Sequence, residues 1–267
     1  MMAALRTGPP DRRISETAAR RFRRGASLLP AVFTTGNLFF GFWSIVKTLN
    51  GQYAEAPLLI GVAIVLDMLD GRIARLTGTT SEFGGELDSL SDAISFGVAP
   101  ALLAYRWGFE PVPRIGWLAA FLFVMCGVLR LARFNVQRHA VDGRYFIGLP
   151  IPAAAAQVAA VVHFLPEGID ERFASTLAVS GVVALAFLMV STLRYQSFKN
   201  FDLRRRRSYI NVLGIAITFL LIALQPEVAL LAIATFYALS GPLVYVVSLF
   251  RRRGDPPPAV AASEAHS

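Results

Sequence analysis

The sequence is poor in the residues that form disulfides and most transition-metal sites. It contains one cysteine and three histidines among 267 residues. The single Cys126 excludes an internal disulfide framework and a zinc site built from cysteines. None of the histidines has a second ligand at metal-binding spacing, so a histidine metal site is not indicated either. Metal chemistry in this chain therefore points to oxygen ligands.

Charged residues are also scarce, at 16%, whereas hydrophobic residues reach 55% and the mean hydropathy is +0.53. This balance is too apolar for an ordinary soluble domain and is typical of a membrane-embedded helical bundle. The net charge of +8 does not indicate a nucleic-acid partner, because the basic residues form short blocks between apolar stretches. Such blocks suit the anionic lipid surface on the cytoplasmic side of a membrane.

Eight apolar segments are long enough to cross a bilayer as helices. They fall at residues 28–49, 55–77, 88–107, 115–134, 150–165, 172–193, 209–224 and 228–250. We therefore predict an all-α fold, a polytopic transmembrane helix bundle of about eight spans. The fifth and seventh segments are the shortest, and without them six spans remain with the termini on the same side.

The distribution of Arg and Lys predicts the orientation of these spans, because basic residues that flank a span are retained preferentially in the cytoplasm. With the N-terminus inside, the cytoplasmic segments hold the arginines before residue 28 and those at 138, 144, 194, 204–207 and 251–253, together with Lys199. The opposite side keeps only Lys47, Arg106, Arg114 and Arg172. We therefore expect a multi-pass protein of the cell membrane with both termini in the cytoplasm.

Three regions are predicted along the chain. Residues 1–27 form a basic cytoplasmic arm, in which Ile14, Ala18 and Phe22 recur at roughly helical spacing and suggest a short interfacial helix. A disordered arm fits the same residues. Residues 28–250 form the membrane domain. Residues 251–267 are rich in proline and small residues, and we expect a disordered cytoplasmic tail.

Four aspartates lie within or beside the second and third predicted spans, where charged groups are costly. Asp67 and Asp70 are three residues apart, and Asp88 and Asp92 are four apart, so each pair shares a helical face. A short loop brings the two faces together, where four carboxylates repel one another unless cations neutralise them. Oxygen ligands favour a hard ion such as Mg²⁺ or Mn²⁺. Helix caps or ion pairs with nearby arginines are the structural alternative, which leaves the spacing unexplained.

The acids belong to a longer motif that covers 26 residues. It reads Asp67-x2-Asp70-Gly71-x2-Ala74-Arg75-x8-Gly84-x3-Asp88-x3-Asp92. At every fixed position the motif resembles the signature of the CDP-alcohol phosphotransferase family. The resemblance implies a six-helix catalytic core in which the four aspartates hold two divalent metal ions, Mg²⁺ or Mn²⁺. It also implies transfer of a phosphatidyl group from a CDP-linked lipid to a hydroxyl acceptor, with release of CMP.

The resemblance gives roles to single residues, and the residue types fit those roles. Asp92 is expected to be the base that accepts the proton of the acceptor hydroxyl. Gly71 lets the nucleotide approach the helix backbone closely, and Arg75 offers a planar guanidinium to the pyrophosphate. The predicted CDP-lipid contacts are Thr34, Gly71, Ala74, Arg75, Ser81 and Gly84.

The signature does not name the acceptor, so other segments must identify it. The runs at 95–100, 129–136 and 148–154 resemble the branch of the family that makes phosphatidylserine. Serine needs a cation for its carboxylate, and Arg130, Arg133 and Asn135 lie at the cytoplasmic end of the fourth span. Arg133 is the first choice among them. Ordinary positive-inside anchoring is the alternative role for these arginines.

The sequence therefore predicts an enzyme that transfers the phosphatidyl group of CDP-diacylglycerol to L-serine at the cytoplasmic face of the membrane. Glycerol 3-phosphate and an inositol phosphate are the alternative acceptors. A cation-coupled transporter is the alternative from another class, although the clustering of all four acids at one membrane face argues against it. The expected partners are CDP-diacylglycerol, L-serine and membrane lipids, with no nucleic acid; a homodimer is expected from the family resemblance alone.

Overall fold

A computed structural model of the chain describes residues 12–77, 81–137, 145–196 and 223–252, together with 213, 214, 216, 220 and 221. Nearly all of these residues are helical, which confirms the predicted all-α class. The helices are α1 (Arg12–Leu49), α2 (Ala56–Thr77), α3 (Glu82–Asp92), α4 (Ala99–Gly108), α5 (Pro113–Gln137), α6 (Ile151–Phe164), α7 (Arg172–Val190) and α8 (Pro226–Arg252). A π-helical segment, Ala93–Val98, joins α3 directly to α4.

Several of these helices have the length and apolarity of membrane spans. The stretches that qualify are Glu82–Gly108, Pro113–Val136, Arg172–Val190 and Pro226–Ser248, and α6 is a shorter apolar helix. Large apolar side chains such as Phe121, Phe187 and Phe236 are exposed on the helix surfaces, which suits a surface covered by lipid. The chain is therefore a membrane protein. The total of eight spans stays a prediction, because most of residues 209–224 lie outside the described part of the chain.

The N-terminal helix differs from the sequence prediction. A separate interfacial helix is expected before a first span that begins at residue 28, whereas α1 runs from Arg12 to Leu49 as one helix. The residues around the expected boundary include the good helix formers Ala26, Leu28 and Leu29 but also Gly25 and Pro30, so local propensity alone does not account for the continuous helix. Residues 1–11 and 253–267 lie outside the described residues, so the arm and the disordered tail stay predictions.

The helices pack in pairs around a buried apolar core. α1 packs along α2 after a tight turn in which Gly51 has a φ of 72°. α5 packs against α7, and α6 packs against both α2 and α8. The largest buried side chains between them include Phe96, Phe123, Leu149, Ile151 and Met189. This packing leaves the end of α2 beside α3, where the aspartates lie.

Two short strands, which the sequence does not predict, form a link to α8. β1 (Tyr145–Ile147) and β2 (Arg194–Gln196) pair antiparallel. Gly148 follows β1 with a φ of 79°, and a Cβ there would lie 2.3 Å from the carbonyl oxygen of Met189, so the turn requires glycine. Burial, and to a lesser extent Tyr237, raises the pKa of Tyr195 to about 12. The Tyr195 hydroxyl therefore stays protonated and donates a 3.1 Å hydrogen bond to the carbonyl oxygen of Ala238 in α8.

Candidate active site

Three of the four aspartates form a compact group between α2 and α3. α3 begins after Ser81, whose hydroxyl accepts a 3.0 Å hydrogen bond from the N–H of Gly84 and so caps the helix. Carboxylate oxygens of Asp67, Asp88 and Asp92 all lie within 4.8 Å of one another. The helical spacing that predicts a shared face therefore does bring acids of α2 and α3 together. We call these three residues the carboxylate trio.

Asp70 points to a different neighbour. It is 5% exposed and accepts a hydrogen bond from Oγ1 of Thr34 in α1. Residues three apart on a helix point in neighbouring but distinct directions, so Asp67 can face α3 while Asp70 faces α1. Thr34, which the resemblance assigns to the CDP-lipid, is itself buried and contacts this acid. Lipid contact by Thr34 and metal ligation by Asp70 both stay predictions.

Asp92 is held in place by α1. The fully buried Asn37 donates a 3.1 Å hydrogen bond from Nδ2 to Oδ1 of Asp92. The hydroxyls of Ser91 and Ser95 donate to the carbonyl oxygens of Thr34 and Asn37, at 3.2 Å and 3.0 Å. The π-helical segment begins immediately after Asp92, and such turns are frequent at functional sites. The position of Asp92 is therefore set by the crossing of α1 and α3.

The carboxylate trio fits a divalent cation by the chemistry of its donors. All three side chains offer carboxylate oxygens, which are the ligands that Mg²⁺ and Mn²⁺ prefer. Three carboxylates this close repel one another strongly in a protein interior. Arg130 interacts electrostatically with Asp92, and one guanidinium offsets only one of the three negative charges. A divalent cation bound there would supply the remaining compensation.

The trio opens onto a cavity of about 770 Å³. Cavities that bind small ligands commonly measure roughly 300–1,000 Å³, so this one is large enough for a nucleotide headgroup and the start of its lipid chains. The end near the trio is polar, with Arg72, Ser89, Arg130 and Asn135 in its wall. The rest of the wall is mainly apolar and comes from α2, α5, α6 and α8. A cavity with one charged end and an apolar remainder suits a lipid with a charged headgroup.

The predicted CDP-lipid contacts occupy different positions around this cavity. Gly71 lies in its wall. Ser81 and Gly84 form the cap of α3, at the start of the helix that carries Asp88 and Asp92. Ala74 and Arg75 belong to α2, but their side chains lie outside the described part of the structure.

The predicted serine contacts are divided in the same way. Arg130 and Asn135 line the cavity, and Nδ2 of Asn135 donates a 2.9 Å hydrogen bond to the hydroxyl of Ser89, which ties α5 to α3. Arg133, one turn beyond Arg130, is half-buried and is not among the residues described as lining the cavity. The geometry therefore favours Arg130 over Arg133 as the cation that an acceptor meets.

Two residues of the site are absent from the sequence prediction. Asn37 contacts Asp92, and Tyr237 of α8 lines the cavity beside Arg130. A polar amide in the middle of an apolar span is costly, so the sequence alone could have indicated Asn37 as a site residue. Tyr237 gives no such signal, because an aromatic residue in an apolar helix is most often a packing residue.

The fold and the site together define a helical membrane protein with a carboxylate group suited to a metal ion in a lipid-sized cavity. The chain belongs to the CDP-alcohol phosphatidyltransferase family, whose model matches residues 27–193. This match confirms the family predicted from the aspartate motif and argues against the alternative that the protein is a transporter. It also covers the carboxylate trio, Asn37 and Arg130.

Three relatives are each named CDP-diacylglycerol–serine O-phosphatidyltransferase. The protein of Helicobacter pylori (strain ATCC 700392 / 26695) is 47% identical over 178 residues, which cover 64% of this chain and 73% of the relative. The protein of Bacillus subtilis (strain 168) is 36% identical over 171 residues, covering 64% of this chain and 91% of the relative. That of Methanocaldococcus jannaschii is 34% identical over 199 residues, covering 74% and 84%.

Proposed function

We propose that the chain is an enzyme that transfers the phosphatidyl group of CDP-diacylglycerol to L-serine, giving phosphatidylserine and CMP. The observation that carries this proposal is that relatives 34% to 47% identical to this chain bear the name of that enzyme. The carboxylate trio and the cavity supply the chemistry that the reaction needs. Glycerol 3-phosphate and inositol phosphate, the alternative acceptors, are not named by any of these three relatives.

The reaction exchanges one phosphorus–oxygen bond for another. The serine hydroxyl oxygen bonds to the phosphorus that carries diacylglycerol, and the bond from that phosphorus to the oxygen of CMP breaks. Asp92 accepts the proton of the serine hydroxyl, because it faces the cavity and Asn37 holds one of its oxygens in a fixed orientation. CMP departs with the electron pair of the broken bond.

The four aspartates Asp67, Asp70, Asp88 and Asp92 would hold two divalent cations, Mg²⁺ or Mn²⁺. Cations bound there would neutralise the pyrophosphate of the donor and stabilise the charge of the departing CMP. The closely spaced carboxylate oxygens of the trio support this assignment. Asp70 is included because it belongs to the aspartate motif.

The donor lipid lies with its headgroup at the polar end of the cavity and its chains along the apolar wall. Gly71, Ala74, Arg75, Ser81, Gly84 and Thr34 are the proposed contacts of the CDP group, and Arg130, Arg133 and Asn135 are those of serine. The basic-residue distribution supports a cytoplasmic location for the active site and both termini. That side is where water-soluble serine meets the membrane-bound donor.

An acceptor panel tests this function. The purified protein is incubated in detergent with CDP-diacylglycerol, Mg²⁺ or Mn²⁺, and one of L-serine, glycerol 3-phosphate or inositol phosphate. The expected result is phosphatidylserine with an equimolar amount of CMP, seen with serine alone. Product from glycerol 3-phosphate and none from serine would overturn the acceptor, and no CMP with any acceptor would overturn the reaction.

A further inference from the structure

The last helix contributes to the active-site cavity although it lies beyond the family match, which ends at residue 193. Leu230, Ile233, Ala234 and Tyr237 of α8 all line the cavity that holds the trio. The aspartate motif accounts for the metal and the CDP-lipid, but it does not discriminate between acceptors. Residues outside the motif that reach the same polar end are therefore the place to look for acceptor recognition.

Arg130 is a buried cation at that polar end. It is 9% exposed and lies in the wall of the cavity that Asp92 and Tyr237 also line. Its Nε has no hydrogen-bond partner within the described part of the chain. A buried guanidinium with an unused donor is costly unless a ligand completes its hydrogen bonds.

Tyr237 is held in the cavity wall by the packing of α8 against β2. Its ring centroid lies 5.8 Å from that of the fully buried Tyr195. The hydroxyl of Tyr195 donates a hydrogen bond to the carbonyl oxygen of Ala238, the residue after Tyr237. A Cβ on Gly241, one helical turn later, would lie 2.4 Å from the ring of Tyr195, so α8 and β2 are in close contact here. The position of Tyr237 in the cavity is therefore set by the fold.

We propose that Arg130 and Tyr237 together form the subsite for the acceptor's carboxylate, an inference that rests on the proposed transfer to serine. The planar guanidinium of Arg130 binds the carboxylate through two parallel N–H donors, and the hydroxyl of Tyr237 donates a further hydrogen bond. Arg130 and Asp92 line the same cavity, so serine can place its carboxylate on Arg130 and its hydroxyl at Asp92. α8 thereby takes part in acceptor selection.

The test compares kinetic constants for serine and for the donor in matched variants. Arg130→Gln is expected to raise the KM for serine by roughly 10- to 100-fold, the worth of a hydrogen-bonded charged group, while the KM for CDP-diacylglycerol stays near the wild-type value. Tyr237→Phe is expected to raise the KM for serine by at least about 10-fold, because the lost hydrogen bond goes to a charged carboxylate. Arg114→Gln, an exposed arginine at the other end of α5, is the matched control.

A second measurement separates carboxylate binding from a general loss of structure. The rate with 2-aminoethanol, which resembles serine without its carboxylate, is divided by the rate with serine for each protein. Arg130→Gln is expected to raise this ratio at least about 10-fold, because only serine loses a partner. An unfolded variant would lose activity with both acceptors and would not keep the wild-type KM for the donor. An unchanged donor KM therefore excludes unfolding as the cause.

The outcomes distinguish this inference from the proposed function. If the wild type makes no phosphatidylserine, the proposed function fails. If the wild type uses serine but Arg130→Gln leaves both the serine KM and the acceptor ratio unchanged, only the subsite is overturned. If the KM for serine rises only in Arg133→Gln, Arg133 binds the carboxylate instead. If Arg130→Gln raises the KM values for serine and for the donor equally, Arg130 binds the donor phosphate instead.

Discussion

Nδ2 of Asn37 in α1 donates a 3.1 Å hydrogen bond to Oδ1 of Asp92, the residue that we propose as the proton acceptor. Both side chains are buried, at 0% and 8% exposure, so the bond is shielded from solvent. The first helix therefore supports the proposed catalytic base without belonging to the aspartate motif. In the proposed mechanism, this contact gives α1 a role in catalysis that is separate from membrane anchoring.

Asn37→Ala is expected to lower kcat by roughly 10- to 100-fold, because a hydrogen bond to a charged group typically contributes about 1.5–3 kcal/mol. The KM for CDP-diacylglycerol should change little, since Asn37 contacts the base and not the donor. Steady-state rates at varied donor concentration measure both constants. Asn50→Ala, an exposed asparagine just after α1, is the control. An unchanged kcat for Asn37→Ala would show that Asp92 does not need this support.

Asp92→Asn preserves the shape of the side chain and removes the proton acceptor. Turnover at saturating metal is expected to fall by roughly 10²- to 10⁴-fold, the usual contribution of a general base. Affinity for the CDP-lipid should largely remain, because the base acts on the acceptor. Single-turnover CMP release and equilibrium lipid binding separate the two effects, with the exposed Asp170→Asn as control. Full activity in Asp92→Asn would assign the base elsewhere.

Metal removal is expected to abolish transfer, and added Mg²⁺ or Mn²⁺ should restore it. The wild-type protein should also unfold at a higher temperature when the metal is present, because a ligand that binds only the folded state stabilises it. Asp67→Asn and Asp88→Asn should lose most of this shift. Thermal unfolding with and without metal checks the prediction independently of activity. Equal shifts in the wild type and both variants would place the cation outside the trio.

The crossing of α1 with the π-helical segment should not tolerate a larger side chain at Gly41. A Cβ there would lie 2.2 Å from the hydroxyl oxygen of Ser95 and 2.7 Å from its Cα. Gly41→Ala is therefore expected to lower the free energy of unfolding by about 1–3 kcal/mol, as overpacking does. Gly181→Ala in α7, where a Cβ meets nothing within 4 Å, is the control and should be neutral or slightly stabilising. Thermal unfolding in detergent decides between these outcomes.

The sequence predicts most of the chemistry of the site because that chemistry is local. Asp88 and Asp92 are four residues apart and share one face of α3, and the structure brings them together with Asp67 of the preceding helix. Asn37 and Asp92, in contrast, are 55 residues apart, and their contact depends on how α1 crosses α3. Tyr237 reaches the cavity only because α8 packs on α6, which no local pattern predicts.

The fold shows the same division. The helix ends of the middle spans follow from apolar length and from turn residues, so α2, α5, α6 and α7 lie close to their predicted ranges. α3 begins at Glu82, whereas the apolar pattern predicts a start at residue 88, because the Ser81 side chain caps the helix at the earlier position. The β1–β2 ladder depends on two segments that are distant in sequence, and strands of three residues leave no periodic signal.

The most direct test of the account follows the serine hydroxyl oxygen itself. L-serine labelled with ¹⁸O in its hydroxyl group is incubated with the purified protein, CDP-diacylglycerol and Mg²⁺ or Mn²⁺, and the lipid product is analysed by mass spectrometry. If serine attacks the phosphorus directly, phosphatidylserine retains the label in full and unlabelled CMP appears in equal amount. Phosphatidylserine without the label, or CMP release with no phosphatidylserine, would contradict the account.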